Sequence, residues 1–380
     1  MRVLYVLKHN PWAYGGGCYA SRCYLEAFFR IFEGVCMDIC ICEEYIDDID
    51  TRLSDKITLY AVKERSWISK RLAFATGVLH RHRNVVHHLL HKNVYDYCIF
   101  DHSFIAGNLV KESKKLGDKS ITIHHNCETD YFRDNTPNAI IRTLLLPQIK
   151  KNEKTAYLNS NYNIFLTNAD KQSFEERFGI SEGKLMVIGC FERGNIPLPE
   201  LPVKEVKTDF TIVITGSIGN VQNLDGINDF LYNYYPMIPA NFKIVIAGQR
   251  PPVELKERCE KYDNITIIDT PSDMYAVLCR GDIFLCPARL GSGIKVRIMD
   301  GLRVGLPVIA HKNSGRGYEE FVKKEFMILY DDKESFGNAL KRIVIMLQNS
   351  EIDRSVVQQL YYDMFSLKTN VEKIKKGLFV

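Results

Sequence analysis

Short apolar runs alternate along the chain with longer segments whose apolar residues recur at helical spacing. The runs have the length and composition of buried strands, and the segments between them have the length of amphipathic helices. This alternation predicts an α/β protein in which helices cover parallel sheets. In the first half of the chain the predicted strands are 2–7, 37–42, 97–101, 120–125 and 162–167.

The alternation stops between residues 191 and 209, a segment with three prolines, many charges and little apolar material. That composition is typical of a linker. The alternation then restarts, with predicted strands at 210–216, 242–248, 265–269, 282–287 and 306–311. We therefore predict two doubly wound, Rossmann-like domains, residues 1–195 and 206–360, followed by a helical segment at 361–380.

The composition narrows the class of protein. Apolar residues make up 46% of the chain, charged residues 25%, and the formal net charge is only +4, so we expect a globular protein with no nucleic-acid partner. Eleven cysteines are scattered without a paired CxxC motif or a Cys/His cluster, which favours free thiols, a reducing compartment and no metal ligands. No apolar run approaches ~20 residues and the N-terminus fits a strand better than a signal peptide, so we expect a cytoplasmic location.

A glycine-rich loop follows the first predicted strand. Gly15, Gly16 and Gly17 precede a helical pattern, and glycines at a helix start allow an anion to approach backbone N–H groups. Gly15, Gly17 and Ala20 also match the dinucleotide-binding pattern G-x-G-x-x-A, and Glu43 follows the second strand, where a ribose-binding acid belongs. That interpretation is the weaker one because the dinucleotide turn is tight and this loop is long. A plain flexible loop is a further alternative.

Polar side chains end two other strands of the first half. Asp101 and His102 close one predicted strand, and His124, His125 and Glu128 lie at the end of the next. Ligands of open α/β sheets bind beyond the carboxyl ends of the strands. These residues are therefore candidates for lining a ligand site, although strand ends are often simply polar.

The segment 285–310 predicts a strand, a glycine loop, a helix and a second strand. Ile294, Ile298 and Leu302 would form the buried stripe of the helix, and Gly305 would end it. This places Lys295 and Arg297 in the first helical turn, at the positive end of the helix dipole, where cations are unfavourable. Such a violation of a local rule is typical of a functional site and predicts a bound anion such as a diphosphate.

Several of these motifs together resemble one family. The strongest is "GDIFLCPARLGSGIKVRIMDGLRVGLPVIA" (281–310), supported by the Gly15–Gly17 loop, "HNCE" (125–128), "LTNADKQSFEERFGI" (166–180), "VITGSIGNVQNLDGI" (213–227), "IVIAGQRPP" (244–252) and "YYDMFSLKTNVEKIKKGL" (361–378). The chain resembles the glycosyltransferases of the GT-B fold, specifically the retaining family 4, also called glycosyl transferases group 1. The resemblance implies an acceptor-binding first domain, a second domain that binds the nucleotide-sugar across a central cleft, and a C-terminal helix that packs back on the first domain.

The family's functional residues can be carried over by position. Arg289 and Lys295 would hold the donor diphosphate, and Asp300 stands where the family has its ribose-binding glutamate. Ser292 stands where the family has a glutamate that faces the donor sugar, so the donor sugar stays open. The implied donor-binding residues are Gly16, Gly17, Gly216, Ser217, Gly291, Ser292, Gly293, Ile294 and Asp300. The implied catalytic residues are His125, His124, Lys295 and Arg289, the two histidines being alternatives for one position.

The resemblance also implies partners and a mechanism. The donor would be a nucleotide-diphosphate sugar, with no other cofactor and no metal, and Asp101, His102 and Glu128 would contact the acceptor. Residues 63–93 mix seven lysines and arginines with apolar side chains, which suits an anionic membrane surface and a lipid-linked acceptor in surface polysaccharide synthesis. A glycan acceptor remains equally open. The alternatives are a sugar-nucleotide-binding pseudoenzyme, because of Ser292 and Asp300, and a nucleotide-sugar epimerase or hydrolase.

Overall fold

The computed structural model describes residues 1–13, 15–48, 56–66, 68, 80–136, 138–194, 196–201, 209–291 and 293–379. The chain forms two compact units, Met1–Gly194 together with Leu367–Val380, and Asn195–Ser366. Each unit is built around its own parallel sheet. The predicted α/β class is confirmed in both.

The first unit contains a sheet of seven parallel strands among its described residues. The strands are β1 (Arg2–Leu7), β2 (Cys36–Cys42), β3 (Ile57–Val62), β4 (Tyr97–Asp101), β5 (Lys119–His124), β6 (Tyr162–Phe165) and β7 (Lys184–Val187). Their order across the sheet is β3-β2-β1-β4-β5-β6-β7. The helices between them are α1 (Gly16–Ile31), α2 (Arg83–Lys92), α3 (Ser103–Lys115), α4 (Glu128–Asn135), α5 (Ala139–Asn159) and α6 (Asn168–Phe178).

The second unit contains a sheet of six parallel strands in its described part. The strands are β8 (Thr211–Ser217), β9 (Lys243–Gln249), β10 (Ile265–Asp269), β11 (Ile283–Cys286), β12 (Val308–His311) and β13 (Met327–Tyr330). Their order is β10-β9-β8-β11-β12-β13. The helices are α7 (Val221–Asp229), α8 (Val253–Cys259), α9 (Met274–Cys279), α10 (Arg297–Arg303), α11 (Glu319–Lys323), α12 (Lys333–Gln348) and α13 (Arg354–Phe365).

The final helix, α14 (Leu367–Phe379), belongs to the first unit. The ring of Phe379 packs edge-on against the rings of Phe32 and Tyr97, with centroids 6.3 and 6.2 Å away. The hydroxyl of Tyr162 donates a hydrogen bond to the carbonyl of Leu378 at 3.1 Å. The end of the chain therefore completes the covering of the first sheet.

Three strands were not predicted from the sequence, namely β3, β7 and β13. All three lie at sheet edges, and each carries half-buried positions. Edge position alone does not explain the omission, because the fourth edge strand, β10, was predicted. The central strands, which are buried, were all predicted.

Strand order reverses once in each sheet, between β1 and β4 in the first and between β8 and β11 in the second. The connections that leave two such neighbouring strands run to opposite faces of the sheet, which opens a crevice at their carboxyl ends. The loops after β1, β4, β8 and β11 are therefore the places where each unit can hold a ligand.

Nine of the chain's ten histidines lie in the first unit, and five of these nine are buried, namely His80, His82, His102, His124 and His125. Burial lowers the pKa of His9 and of His80 to about 3, and that of His82 and of His124 to about 4. Burial also holds the pKa of His102 well below its ordinary value. At neutral pH these rings are uncharged, and in acid the unfolded chain takes up protons that the folded unit does not.

We predict that the first unit is acid-labile. A group whose pKa is lowered on folding contributes stability that is lost as the pH falls below its unfolded value, here about 6.5, toward its folded value. Each of these histidines then removes up to about 1.4 kcal/mol of unfolding free energy per pH unit. The raised pKa values of Asp118, Glu128 and Glu153 act in the opposite direction, against the five histidines whose pKa values are lowered. Urea unfolding should show that the free energy of unfolding falls steeply from pH 7.0 to 6.0 and 5.0. The last two values lie about 0.5 and 1.5 units below the unfolded pKa.

Tryptophan fluorescence reports this unit selectively because Trp12 and Trp67 are the chain's two tryptophans. The His124→Gln variant removes one of the five titrating rings, so its stability should fall with pH less steeply than that of the wild type. A first unit whose stability is constant between pH 7 and 5 would contradict the assignment of neutral buried rings.

Candidate functional site

Polar side chains from three neighbouring strands meet at the carboxyl edge of the first sheet. β1, β4 and β5 lie side by side, and the residues that follow them converge. We call this group the histidine cluster; its members are Lys8, His9, Asp101, His102, His125 and Glu128. Asp101, His102, His125 and Glu128 are buried, and Lys8 and His9 are half-buried. The structure thus brings together four residues that the sequence predicted and two, Lys8 and His9, that it did not.

The central contact of the cluster joins His125 and Asp101. Nε2 of His125 lies 2.7 Å from Oδ1 of Asp101, and the Asp101 side chain is fully buried. A carboxylate in this position holds the imidazole proton on Nε2 and orients the ring. Nδ1 of His125 has no hydrogen-bond partner among the described residues, so its lone pair is available to accept a proton. This is the arrangement of a general base.

A second acid–histidine contact lies beside the first. Nδ1 of His102 contacts Oε1 of Glu128, and Nζ of Lys8 lies 3.6 Å from the other carboxylate oxygen of Glu128. The rings of His102 and His125 are stacked with centroids 4.6 Å apart, and the ring of His9 meets His102 edge-on at 5.3 Å. Burial raises the pKa of Glu128, although Lys8 acts in the opposite direction. At neutral pH the rings of His9 and His102 are therefore uncharged, and burial favours the protonated form of Glu128.

His124 lies outside the cluster. Its ring is fully buried, stacks on Phe165 with centroids 4.6 Å apart and packs edge-on against Phe174. Nε2 of His124 lies 2.8 Å from Oδ1 of Asn163 on β6. β5 ends at His124 and the chain bends at the next residue, so only one of the two adjacent histidines contacts the cluster. In this structure that residue is His125.

The glycine loop adjoins the same cluster. α1 begins at Gly16, and Gly15 before it has φ of 134°, a conformation that glycine adopts readily. A Cβ at Gly17 would lie 3.5 Å from Nε2 of His9. Gly17 therefore borders the cluster at His9, whereas a Cβ at Gly16 would meet nothing within 4 Å.

Glu153, a buried carboxylate that the sequence did not indicate, accepts hydrogen bonds from the first residues of α4. Glu153 on α5 is fully buried and accepts hydrogen bonds from the backbone N–H groups of Glu128 and Thr129 and from the Thr129 hydroxyl. It thereby fixes the start of the helix that carries Glu128. Burial raises the pKa of Glu153 to about 7. Its position in the middle of a helical pattern carried no signal of this role.

In the second unit, Lys295 precedes its helix rather than lying in it. α10 begins at Arg297, so the prediction that Lys295 occupies the first helical turn was wrong. Arg297 does lie at the helix start, and Asp300 in the first turn compensates it through an ion pair of 3.3 Å. The backbone from 293 to 296 instead forms a bend and a turn, and the Tyr318 hydroxyl donates a hydrogen bond to the Lys295 carbonyl at 2.9 Å.

The ammonium group of Lys295 is surrounded by neutral oxygens. It donates to the carbonyl of Leu290 at 3.0 Å and lies 3.4 Å from Oε1 of Gln222. Burial lowers the pKa of Lys295, which means that its charge is poorly compensated. No carboxylate pairs with it among the residues that the structure describes. A half-buried cation without a counter-ion attracts an anion.

Arg289, the other predicted diphosphate ligand, is engaged differently. It forms two hydrogen bonds with the carboxylate of Asp225, at 2.7 and 3.0 Å, and lies 3.5 Å from Asp229. Its charge is already neutralised. Arg289 would have to leave these partners to bind a phosphate, whereas Lys295 would not.

The glycine turns of the second unit border Lys295. Gly291 has φ of 84°, a conformation that favours glycine, and a Cβ there would lie 2.5 Å from the side-chain amide of Gln222, which would have to move. Gly293 has φ of 77° and Ile294 is half-buried. Ser292 lies outside the described residues.

The loop after β8 comes close to this turn through α7. The side-chain amide of Asn223 donates to the carbonyl of Ser217 at 3.0 Å, and a Cβ at Gly216 would lie 3.0 Å from Nδ2 of Asn223. Gln222, one residue earlier, contacts Lys295 and the Gly291 turn. The predicted donor-binding loops after β8 and β11 thus both contact side chains of α7.

We compared the chain with protein families, curated protein sequences and solved structures. Residues 209–345 match the family model of glycosyl transferases group 1. No curated protein sequence matches the chain.

The fold of the whole chain is similar to solved structures at low sequence identity. Sucrose-phosphate synthase from Thermosynechococcus elongatus has a TM-score of 0.70 at 14% identity, covering 99% of this chain and 97% of that one. WaaG, a glycosyltransferase involved in lipopolysaccharide biosynthesis, has 0.66 at 13%, covering 99% of both chains. HepE from Anabaena, solved in complex with UDP, has 0.68 at 12%, covering 100% of this chain and 99% of that one.

These likenesses confirm the predicted GT-B fold. The family match covers the segment that contains Lys295, Asp300 and the glycine turns, and it does not extend to the first unit. Taken together, the fold and the matched segment support a glycosyltransferase.

Proposed function

We propose that this protein transfers a sugar from a nucleotide-diphosphate sugar to an acceptor hydroxyl, with retention at the anomeric carbon. The observation that carries the proposal is Lys295. It is a half-buried cation without a carboxylate partner among the described residues, beside the glycine turn at the strand-order reversal of the second sheet. It lies within the segment that matches glycosyl transferases group 1.

The donor chemistry requires charge stabilisation of this kind. Transfer breaks the bond between the anomeric carbon and the diphosphate, which leaves as a nucleoside diphosphate while positive charge develops on the sugar. A preorganised cation and backbone N–H groups lower the barrier by stabilising the leaving diphosphate. Lys295 supplies the charge that a metal ion would otherwise supply, so the proposed reaction needs neither a metal nor another cofactor. HepE, whose structure contains UDP, supports a nucleotide in this fold.

The other residues proposed to contact the donor are assigned from their positions in the loops of the second unit. Asp300 would accept hydrogen bonds from the ribose hydroxyls, for which its pair with Arg297 would have to open or rotate. Gly216, Ser217, Gly293 and Ile294 would contact the donor through the backbone. Arg289 contributes to the diphosphate only if it exchanges Asp225 for a phosphate.

The histidine cluster is the proposed acceptor site. His125 would accept the proton of the acceptor hydroxyl at Nδ1 while Asp101 keeps the ring oriented through Nε2. His102 and Glu128 would position the acceptor. We assign no catalytic role to His124, because its ring is enclosed by Phe165 and Phe174. No protein nucleophile is needed, since the acceptor and the leaving diphosphate can react on one face of the sugar.

The acceptor is proposed to be a glycan or a lipid-linked sugar in surface polysaccharide synthesis at the cytoplasmic membrane face. Lys63, Arg65, Arg81 and Arg83 lie in the basic segment, and Ile68 is 65% exposed. Residues 67 and 69–79, including Lys70 and Arg71, lie outside the described residues. None of the described helices has the length and apolar character needed to span a bilayer. The involvement of WaaG in lipopolysaccharide biosynthesis agrees with such an acceptor.

Membrane association can be measured by co-sedimentation with anionic vesicles. Each cation near such a surface contributes on the order of 1 kcal/mol, and salt screens it. We expect binding at low salt, release at high salt and loss of binding when Lys70, Arg71, Arg81 and Arg83 are changed to glutamate. Binding that is insensitive to both changes, or no binding at all, would reject the membrane partner.

The function itself is tested with a panel of nucleotide-diphosphate sugars, with and without glycan and lipid-linked acceptors. Transfer, or slow donor hydrolysis without acceptor, supports the proposal. Binding without turnover would indicate a pseudoenzyme, and isomerisation without acceptor would indicate an epimerase.

Lys295→Ala should reduce turnover by roughly 10²–10³-fold, the loss expected when one preorganised charge stabiliser is removed. The fold should be retained, because the ammonium group is poorly compensated and its removal costs little. Lys312→Ala is the matched control, since Lys312 is exposed and paired with Asp331 at 2.6 Å. A folded Lys295→Ala protein with normal turnover would remove Lys295 from the mechanism.

His125→Gln should lower kcat by roughly 10²–10⁴-fold, as expected for loss of a general base. His124→Gln keeps an amide to pair with Asn163 and should affect unfolding free energy more than kcat.

Asp101→Asn should lower kcat as well and alter its pH dependence, because the amide no longer fixes the proton on Nε2 of His125. If His124→Gln and His125→Gln lose activity equally while both remain folded, the assignment to His125 is wrong.

A further inference from the structure

Two histidines and a glutamate meet on the surface of the first unit, away from the histidine cluster. His87 and His91 lie one turn apart on α2, and Glu112 lies on α3. Residues four apart on a helix share a face, so both rings project on the same side. The side chains of His87 and His91 are 58% and 52% exposed, and that of Glu112 is 25% exposed.

The backbone beneath these side chains is fixed by the core. Val86, Leu89 and Leu90 of α2 are buried against Leu109 and Val110 of α3 in one apolar cluster. The two helices therefore hold the three side chains at a constant separation. This removes most of the conformational cost of bringing the three groups together.

The donor atoms already converge on one point. Nδ1 of His87 contacts Oε1 of Glu112, and Nε2 of His91 lies 2.9 Å from the same oxygen. The three atoms all lie within 4.8 Å of one another, and the two ring centroids are 4.5 Å apart. Zinc binds imidazole nitrogen and carboxylate oxygen at about 2.0–2.2 Å, so tetrahedral ligand atoms are spaced by roughly 3.3 Å. Small rotations of three partly exposed side chains would open that space.

The ligand types also agree with zinc. Two imidazoles and one carboxylate, with water as a fourth ligand, form a common donor set for Zn²⁺. Within the part of the chain that the structure describes, this is the one group of three or more His, Cys, Asp or Glu side chains placed to hold a metal ion.

We propose that His87, His91 and Glu112 bind a divalent transition-metal ion, Zn²⁺ by their ligand types, which ties α2 to α3. The site is separate from the proposed donor chemistry, which uses Lys295 in the second unit. Its effect is on the first unit: α3 begins at Ser103, directly after Asp101 and His102 of the histidine cluster. A bridging ion stabilises the helix that follows those two residues.

The experiment is a titration of metal-free, full-length protein with Zn²⁺ by calorimetry and with Co²⁺ by visible absorption. We expect one equivalent to bind, a rise in the unfolding temperature of the first unit, and a Co²⁺ spectrum without thiolate charge transfer. Because loss of a supporting contact alone weakens metal binding by about 10–100-fold, His91→Gln and Glu112→Gln should each weaken it at least tenfold. His88→Gln, a change at the neighbouring exposed histidine of α2, is the matched control and should leave binding unchanged.

Modification of histidines by diethyl pyrocarbonate gives a test on the unaltered protein. Zn²⁺ should protect His87 and His91 while His88 continues to react. The proposal is overturned if no metal binds, if thiolate bands appear, if His88→Gln weakens binding as much as His91→Gln, or if Zn²⁺ protects none of these residues.

Discussion

All strands of a parallel sheet end at the same edge, and this constraint positions the proposed donor site and the proposed acceptor site, each in its own unit. At the point where strand order reverses, the chain leaves neighbouring strands toward opposite faces and cannot fill the crevice between them. That point lies between β1 and β4 in the first unit and between β8 and β11 in the second. The histidine cluster occupies the first of these positions, and Lys295 with its glycine turn occupies the second.

The histidine cluster and the Lys295 site differ in electrostatics, and the difference agrees with the separate roles that we propose for them. In the first unit, burial keeps His9 and His102 neutral, and Asp101 orients the ring of His125 so that its Nδ1 is the group suited to accepting a proton. In the second unit, burial leaves the charge of Lys295 poorly compensated, so the site is suited to holding an anion. Proton transfer from an acceptor and departure of a diphosphate are the two requirements of sugar transfer from a nucleotide donor.

The sequence predicted the parts of the fold that depend on continuous burial and missed those that depend on tertiary contacts. Among the described strands, the central ones were all found, whereas three of the four edge strands, β3, β7 and β13, were missed. Lys295 was placed in a helix because Ile294 continued the apolar spacing of Ile298, yet α10 begins only at Arg297.

The candidate site shows the same division. Strand ends indicated Asp101, His102, His125 and Glu128, but adjacency alone could not separate His125 from His124. Glu153, and the approach of Glu112 to two histidines of another helix, are visible only once the helices are packed. Residues whose role is set by a partner far along the chain leave no local pattern.

The central claim is that the second unit binds the donor through its diphosphate at Lys295. Crystal structures of the protein with UDP, GDP and ADP test it most directly. The account predicts the diphosphate against Nζ of Lys295 and the Gly291–Gly293 turn, with the ribose hydroxyls at Asp300. A diphosphate bound instead at the Gly15–Gly17 loop, or at neither place with all three nucleotides, would contradict it.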